Sequence, residues 1–163
     1  MNIFILHRDP SSAAEMMCDK HVIKMILETN QILSTVATAH GHAAPYKSTH
    51  ANHPCTLWAG ESRQNWDWLV QHSRALCSEY THRYGRVHKS QAVTEWAEKL
   101  NIDLPNTTRT PFRLAMPDKY KSDDPVLSYR SYYLGEKARF AKWKNGNVPL
   151  WWAANVCPGS SVG

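Results

Sequence analysis

The sequence lacks several features that mark membrane, disulfide-rich or nucleotide-binding proteins. No apolar run approaches the roughly 18 residues of a membrane-spanning helix, so we expect no membrane partner. The four cysteines are scattered and form no CxxC pair, which argues against a disulfide scaffold or a zinc ribbon. Walker, GxGxxG and HExxH motifs are absent. The apolar start, Met1 to Leu6, is too short for a signal peptide, and we expect a cytoplasmic protein.

Acidic residues are fewer than basic ones, and this imbalance bears on the partner. The chain has 14 Asp and Glu against 19 Lys and Arg, a net charge of +5, which favours a polyanionic partner. Its 163 residues contain no linker-like break, so we expect one domain over 1–163, with 158–163 as a frayed tail. Tryptophan is unusually frequent, at seven, and this residue serves large cores or stacks on bases.

The spacing of apolar residues predicts a mainly α, compact single-domain fold of about four helices with long ordered loops. The predicted helices are Ser12 to about Thr38, Pro54 to Tyr84 with Gly85 as cap, Ser90 to Leu100, and Pro125 to about Trp143 with Gly146 as stop. Residues 39–53 and 101–124 are the predicted loops. Residues 1–6 are predicted to be a short strand or an extended arm, and 148–152 form an apolar aromatic segment.

The first long helix carries a polar stripe. His21, Lys24, Glu28, Gln31 and Thr35 are spaced 3, 4, 3 and 4 residues apart and therefore share one face. Glu28 follows two apolar residues, so it is predicted at the edge of an apolar wall, where a carboxylate can serve as a general acid or base. The alternative is an ordinary Lys24–Glu28 ion pair on a solvated face.

A short segment before the second long helix holds three potential metal ligands. His50, His53 and Cys55 lie close together, and imidazole and thiolate are zinc ligands. No second ligand cluster of suitable spacing follows. The alternative makes His53 the N-cap of a helix that begins at Pro54.

Cations and aromatic residues alternate near the C-terminus. Such interleaving suits phosphates and exposed bases. The alternative is a core helix with solvated lysines, followed by tryptophans that close the core. The residues concerned are Tyr129, Arg130, Tyr132, Tyr133, Lys137, Arg139, Phe140, Lys142, Trp143, Lys144, Trp151 and Trp152.

Two of these motifs together resemble the pyrimidine-dimer DNA glycosylase/AP lyase family of the phage endonuclease V type and its short bacterial relatives. The first is Lys24-x-x-x-Glu28-x-x-Gln-Ile-Leu, and the second is His53-Pro-x-x-x-Trp58. Asp19, His21 and Glu28 also keep the spacing of an Asp-x-His step before the family's helix Glu. The stretch 116–121, followed by 136–137 and an aromatic tail, is similar to a segment of the phage enzymes.

The resemblance implies a compact helical enzyme that binds damaged duplex DNA and flips a base out of the stack. In this family the N-terminal amine attacks C1′ of the damaged nucleotide to form a Schiff base, and β-elimination then cuts the backbone. No metal or cofactor is needed. The implied catalytic groups here are Glu28, His21 and the amine of Met1, since Asn2 disfavours removal of the methionine.

The resemblance also implies a DNA-binding surface, although Leu27, Gln31 and Tyr133 stand where the phage enzymes have arginines. We expect a monomer. The candidate DNA-binding residues are Lys20, Lys24, Gln31, His53, Arg130, Lys137, Arg139, Lys142 and Trp151.

Three other functions compete with this hypothesis. The same fold can act on a hypermodified base or a free nucleotide, which a deep pocket at Glu28 would favour. The protein can be a non-catalytic nucleic-acid-binding module, with salt-dependent binding alone. It can also be a metal-dependent hydrolase built on His50, His53 and Cys55.

Overall fold

The computed structural model describes residues 1–145 and 147–156, and its regular structure there is helical, which confirms the mainly α prediction. The helix count exceeds the predicted four because two predicted helices are each divided in two and a further short helix begins in the predicted apolar aromatic segment 148–152. Gly146 and the predicted tail 158–163 lie outside the described residues. The helices are α1 (Pro10–Glu15), α2 (Asp19–Ala39), α3 (Pro54–Glu61), α4 (Arg63–Tyr84), α5 (Gln91–Lys99), α6 (Pro125–Glu136) and α7 (Leu150–Val156), with a 3-10 turn at Asp118–Tyr120.

The first predicted helix is interrupted after Glu15, so the single helix from Ser12 was wrong. Asp9, not Ser12, caps α1, since its carboxylate accepts the Ser12 backbone N–H at 2.8 Å. Proline at the next position favours this earlier start. The interruption coincides with tertiary contacts to the junction: the Arg83 guanidinium donates to the carbonyl of Glu15, and the backbone N–H of Cys18 donates to a tyrosine of α6.

The second predicted helix is also divided, at Ser62, whose backbone is extended. Ser62 caps α4 by accepting the Asn65 N–H at 3.0 Å, and the Asn65 side chain donates to the carbonyl of Trp58 in α3 at 2.7 Å. The predicted ends are confirmed, because Pro54 opens α3 and Gly85 closes α4 in the left-handed conformation with a φ of 69°.

The helix predicted from Pro125 to Trp143 was too long, because α6 ends at Glu136. Its start is confirmed, with Asp124 as N-cap. Beyond α6 the chain turns back, and the indole N–H of Trp143 donates to the carbonyl of Met16 at 3.0 Å. That contact lies beside the α1–α2 junction, where a continued helix would not bring Trp143.

The core forms around α4, which packs against α1, α2, α3 and α5. Four tryptophans lie inside it, so most of the unusual tryptophan content serves packing: Trp58, Trp66, Trp68 and Trp152 are buried. The segment 2–6 is buried as well and has no strand assignment, which favours the extended arm over the predicted strand. In the described part of the chain, none of the helices combines the length and apolarity that a bilayer crossing requires.

A buried arginine on α4 joins three parts of the fold. The Arg83 side chain is inaccessible to solvent and pairs with Asp19 at 3.0 Å and with Glu79 at 2.9 Å. The Asp19 carboxylate also accepts the backbone N–H of Lys144 at 2.9 Å. This network ties α4 to the start of α2 and to the C-terminal segment.

Replacement of Arg83 by methionine should therefore destabilise the protein strongly. The expected loss is about 3–5 kcal/mol of unfolding free energy, because the exchange leaves two partly buried carboxylates without their partner. Arg74→Met is the matched control on the same helix, since its pair with Glu98 is exposed and worth about 1 kcal/mol or less. Urea denaturation of both variants measures the difference, and equal losses would contradict the structural role given to Arg83.

Candidate active site

The buried N-terminal segment brings the first amino group of the chain to α2. The α-amino nitrogen of Met1 lies 3.2 Å from Oε1 of Glu28, and the Met1 side chain is almost fully buried. The helix motif predicted Glu28 as a site residue, and the family resemblance implied the amine of Met1. The fold places the two in direct contact, with an apolar segment holding the amine in place.

Glu28 is buried, with 9% of its surface exposed, so it does not lie on a solvated helix face. Lys24, one turn earlier, approaches its Oε2 at 3.9 Å, and the predicted i,i+4 pair is therefore present. Oε2 is nonetheless buried without a hydrogen bond from the described residues. A carboxylate that has one oxygen paired with an amine and the other without a hydrogen bond can accept a proton, or a hydrogen bond from a hydroxyl group.

A depression of about 160 Å³ opens over the amine and the carboxylate. Its lining includes an amine, a carboxylate, an imidazole, two ammonium groups and two aromatic rings. Groups that can transfer protons therefore lie next to flat surfaces on which a planar ligand can stack. The lining residues are Met1, Asn2, Phe4, His21, Lys24, Met25, Glu28, Tyr132 and Lys137.

His21 lies in this depression as a neutral imidazole. Burial, with smaller contributions from Lys137 and Lys24, lowers the pKa of His21 to about 3. Its ring stacks on Phe4 with centroids 4.3 Å apart, and its Nδ1 lies 2.6 Å from the hydroxyl of Tyr133. With Nδ1 paired, His21 can offer its Nε2 to a ligand but cannot serve as a cation near neutral pH.

Five of the predicted DNA-binding cations lie in or around the depression's α2 and α6 sides. Lys24 and Lys137 line it, and the Lys137 ammonium lies 4.8 Å from the ring centroid of Tyr132. Lys20 lies over the ring of Phe140, while Arg139 and Lys142 are exposed in the segment after α6. Lys24 and Lys137 therefore lie beside the amine although they come from distant parts of the sequence.

The other predicted DNA-binding residues have different surroundings. The Arg130 guanidinium donates to the carbonyl of Leu6 at 2.9 Å and lies over the ring of Trp151, so both side chains make internal contacts. Gln31 is half-buried one turn beyond Glu28 on α2. His53 is half-buried as well, and burial, the charge of the Met1 amine and His50 lower its pKa.

The predicted metal ligands are not arranged around a common point. His53 caps α3 with its Nδ1, which accepts the N–H of Cys55 at 3.1 Å, as the N-cap alternative expected. The Cys55 thiol is buried, and burial raises its pKa to about 11, which disfavours the thiolate that binds zinc. In residues 1–145 and 147–156, no three His, Cys, Asp or Glu side chains come together as a metal site would need.

Sequence reasoning missed four residues of the depression, Asn2, Phe4, Met25 and Tyr132. Phe4 and Asn2 lie in a six-residue segment that is too short for a helical or strand period to identify a face. Tyr132 was grouped with the cations of α6, but nothing in its spacing separates a lining aromatic from a core aromatic. The sequence offered one signal for these residues: Asn2 is a polar residue at the start of an otherwise apolar segment.

The low pKa of His21 predicts a pH-dependent stability. The unfolded chain binds a proton at His21 below about pH 6.5, whereas the folded chain does not until about pH 3. Stability is therefore lost as the pH falls through this window. Between pH 7 and pH 5, the residue should account for about 2 kcal/mol of the decrease in unfolding free energy.

Urea denaturation of wild type and His21→Gln at both pH values measures this contribution, because the variant lacks the titrating group. His72→Gln is a companion variant, since burial lowers the pKa of His72 to about 4. Identical decreases in wild type and both variants would refute the account of these histidines.

Comparison with known proteins gives one match. A family model described as pyrimidine dimer DNA glycosylase matches residues 1–92, which hold Met1, His21, Lys24 and Glu28. No curated protein and no solved structure matches the chain. Tyr132 and Lys137 lie beyond the matched range, so the α6 side of the depression comes from a part of the chain that the match does not include. Because the match spans more than half of the sequence and contains the amine and its carboxylate partner, the chain belongs to the pyrimidine dimer DNA glycosylase family.

Proposed function

We propose that this protein is a DNA N-glycosylase and AP lyase that acts on a damaged or modified pyrimidine, with the amine of Met1 as nucleophile and Glu28 as its acid–base partner. The observation that carries the proposal is the 3.2 Å contact between the Met1 amine and the buried Glu28 carboxylate. An amine next to a general base is the arrangement that nucleophilic catalysis requires. Family membership supports DNA as the substrate and pyrimidine dimers as the first lesion to test.

The proposed reaction begins when the neutral amine attacks C1′ of the damaged nucleotide. The new C–N bond forms as the glycosidic bond breaks, and the departing base takes the bonding electrons and a proton from water. The C1′–O4′ bond then breaks, O4′ takes a proton from Glu28, and the C=N bond that remains is the Schiff base. Glu28 lies close enough to accept the proton that the amine releases and to stabilise the positive charge of the iminium group.

Strand cleavage follows by β-elimination. The iminium group acidifies the C2′ proton, a base removes that proton, and the C3′–O bond breaks with the electrons leaving on the 3′ phosphate. Hydrolysis of the Schiff base then restores the amine. Oε2 of Glu28 is the proposed acceptor for the C2′ proton, because it accepts no hydrogen bond from the described residues.

The phosphates of the substrate are assigned to the cations around the depression. Lys24 and Lys137 are proposed to contact the phosphates beside the reacting sugar, and Lys20, Arg139 and Lys142 those further along. Gln31 and His53 remain candidate DNA contacts on the α2 side. Arg130 and Trp151 are proposed to support this surface from within, because their contacts are internal.

The size of the depression favours DNA over a free nucleotide. Pockets that enclose small-molecule ligands usually measure about 300–1,000 Å³. The depression at Glu28 measures about 160 Å³ and is bordered by cations. A site of this kind accepts one sugar of a larger molecule that lies across the surface.

Replacement of Glu28 by glutamine tests the proposal. Cleavage of a duplex that carries a cis-syn thymine dimer should fall at least about 100-fold, because the amide cannot accept a proton. Affinity for the same duplex should remain close to that of wild type, because the phosphate contacts are unchanged.

Glu98→Gln is the matched control, since Glu98 is exposed on α5 and pairs with Arg74 outside the depression. This variant should cleave at the wild-type rate. Cleavage by Glu28→Gln at that same rate would remove Glu28 from the mechanism.

A further inference from the structure

The side chain of Asn2, the residue that follows the amine, forms hydrogen bonds both with a distant loop and with the next two residues of the chain. Its Nδ2 donates to the carbonyl of Ala115 at 2.7 Å. Its Oδ1 accepts the backbone N–H groups of Ile3 at 2.8 Å and of Phe4 at 3.0 Å. Asn2 is buried, so these contacts are protected from competition with water.

The carbonyl that receives Asn2 is itself fixed to α6. The backbone N–H of Ala115 donates to the hydroxyl of Tyr129 at 3.2 Å, and that hydroxyl donates to the carbonyl of Arg113 at 2.7 Å. Tyr129 is fully buried. We call these hydrogen bonds of Asn2 the clamp. Through Ala115 and Tyr129, the clamp connects the residue after the amine to α6.

The same clamp supports an unusual backbone turn. Phe4 has a φ of 56°, in the left-handed region, which costs a non-glycine residue about 1–3 kcal/mol. The two hydrogen bonds that Oδ1 of Asn2 accepts span this turn and offset part of the cost. With the turn in place, the Phe4 ring stacks on His21, and the Met1 amine lies beside Glu28.

We propose that Asn2 is the positioning residue of the nucleophile: it fixes the Met1 amine at Glu28 through its contacts with Ala115 and with the turn at Phe4. A side chain of this size also disfavours removal of Met1, so one residue both keeps the nucleophilic amine and orients it. The inference rests on the proposed function. It concerns the geometry of attack, not the binding of DNA.

Two substitutions separate the contacts of Asn2. Asn2→Leu is similar in size and removes every hydrogen bond, whereas Asn2→Asp keeps an acceptor for the turn and loses the donor to Ala115. Neither residue is small enough to promote removal of Met1, and intact mass confirms that the methionine remains. The readout is the single-turnover rate of borohydride trapping on a thymine-dimer duplex at saturating DNA, with Kd measured separately.

The trapping rate should fall about 100-fold in Asn2→Leu and by an intermediate factor in Asn2→Asp, because a misplacement of about 1 Å costs that much in a positioned reaction. Kd should stay within about threefold of wild type, a change of about 0.7 kcal/mol or less. A positioning role thus appears in the rate and not in affinity.

Asn65→Leu is the matched control for a purely structural effect. Asn65 is a buried clamp of the same type, whose Nδ2 donates to the carbonyl of Trp58 at 2.7 Å and whose Oδ1 accepts the N–H of Thr110 at 3.0 Å. It does not line the depression. Asn65→Leu should lower the melting temperature and leave the trapping rate of the folded protein unchanged.

Three results would overturn the assignment of Asn2. These are a wild-type trapping rate in Asn2→Leu, an equal loss of rate in Asn65→Leu, and a loss in Asn2→Leu that lies wholly in Kd. Absence of any adduct with wild type is a different failure, since it refutes the amine mechanism itself and with it the role of Asn2.

Discussion

The burial of the first six residues is the constraint on which the site depends. Residues 2–6 are threaded into the core rather than lying on the surface. The chain enters the core next to α2, and its amine lies 3.2 Å from Oε1 of Glu28. An amino terminus normally keeps considerable freedom, and here apolar packing removes that freedom before any substrate binds.

A second interaction holds the segment after α6 against α2. Asp19 begins α2 and receives both Arg83 and the backbone of Lys144. The segment after α6 and the cations that it carries are thereby held near the start of α2. Lys137 extends this positive surface to the depression itself. Packing and charge thus place a basic surface beside a carboxylate that is itself buried.

Local sequence signals predicted where helices begin and end better than they predicted the breaks within the long predicted helices. The caps at His53 and Gly85 were predictable because a cap depends on a few neighbouring residues. The break before α2 was not, because it coincides with the reach of Arg83 to a carbonyl of α1 from far along the chain. The site divides in the same way: the helix period singled out Glu28, whereas the partner of Asn2 is Ala115, which is distant in sequence and leaves no local pattern.

The most direct test of the central claim is the identity of the residue that becomes attached to DNA. Wild-type protein is incubated with a thymine-dimer duplex, reduced with borohydride and digested, and the adduct is located by mass spectrometry. The account predicts that the sugar remnant lies on the α-nitrogen of Met1, and that acetylation of this nitrogen abolishes the adduct. An adduct on a lysine such as Lys24 or Lys137, or none on the lesion duplex, would contradict it.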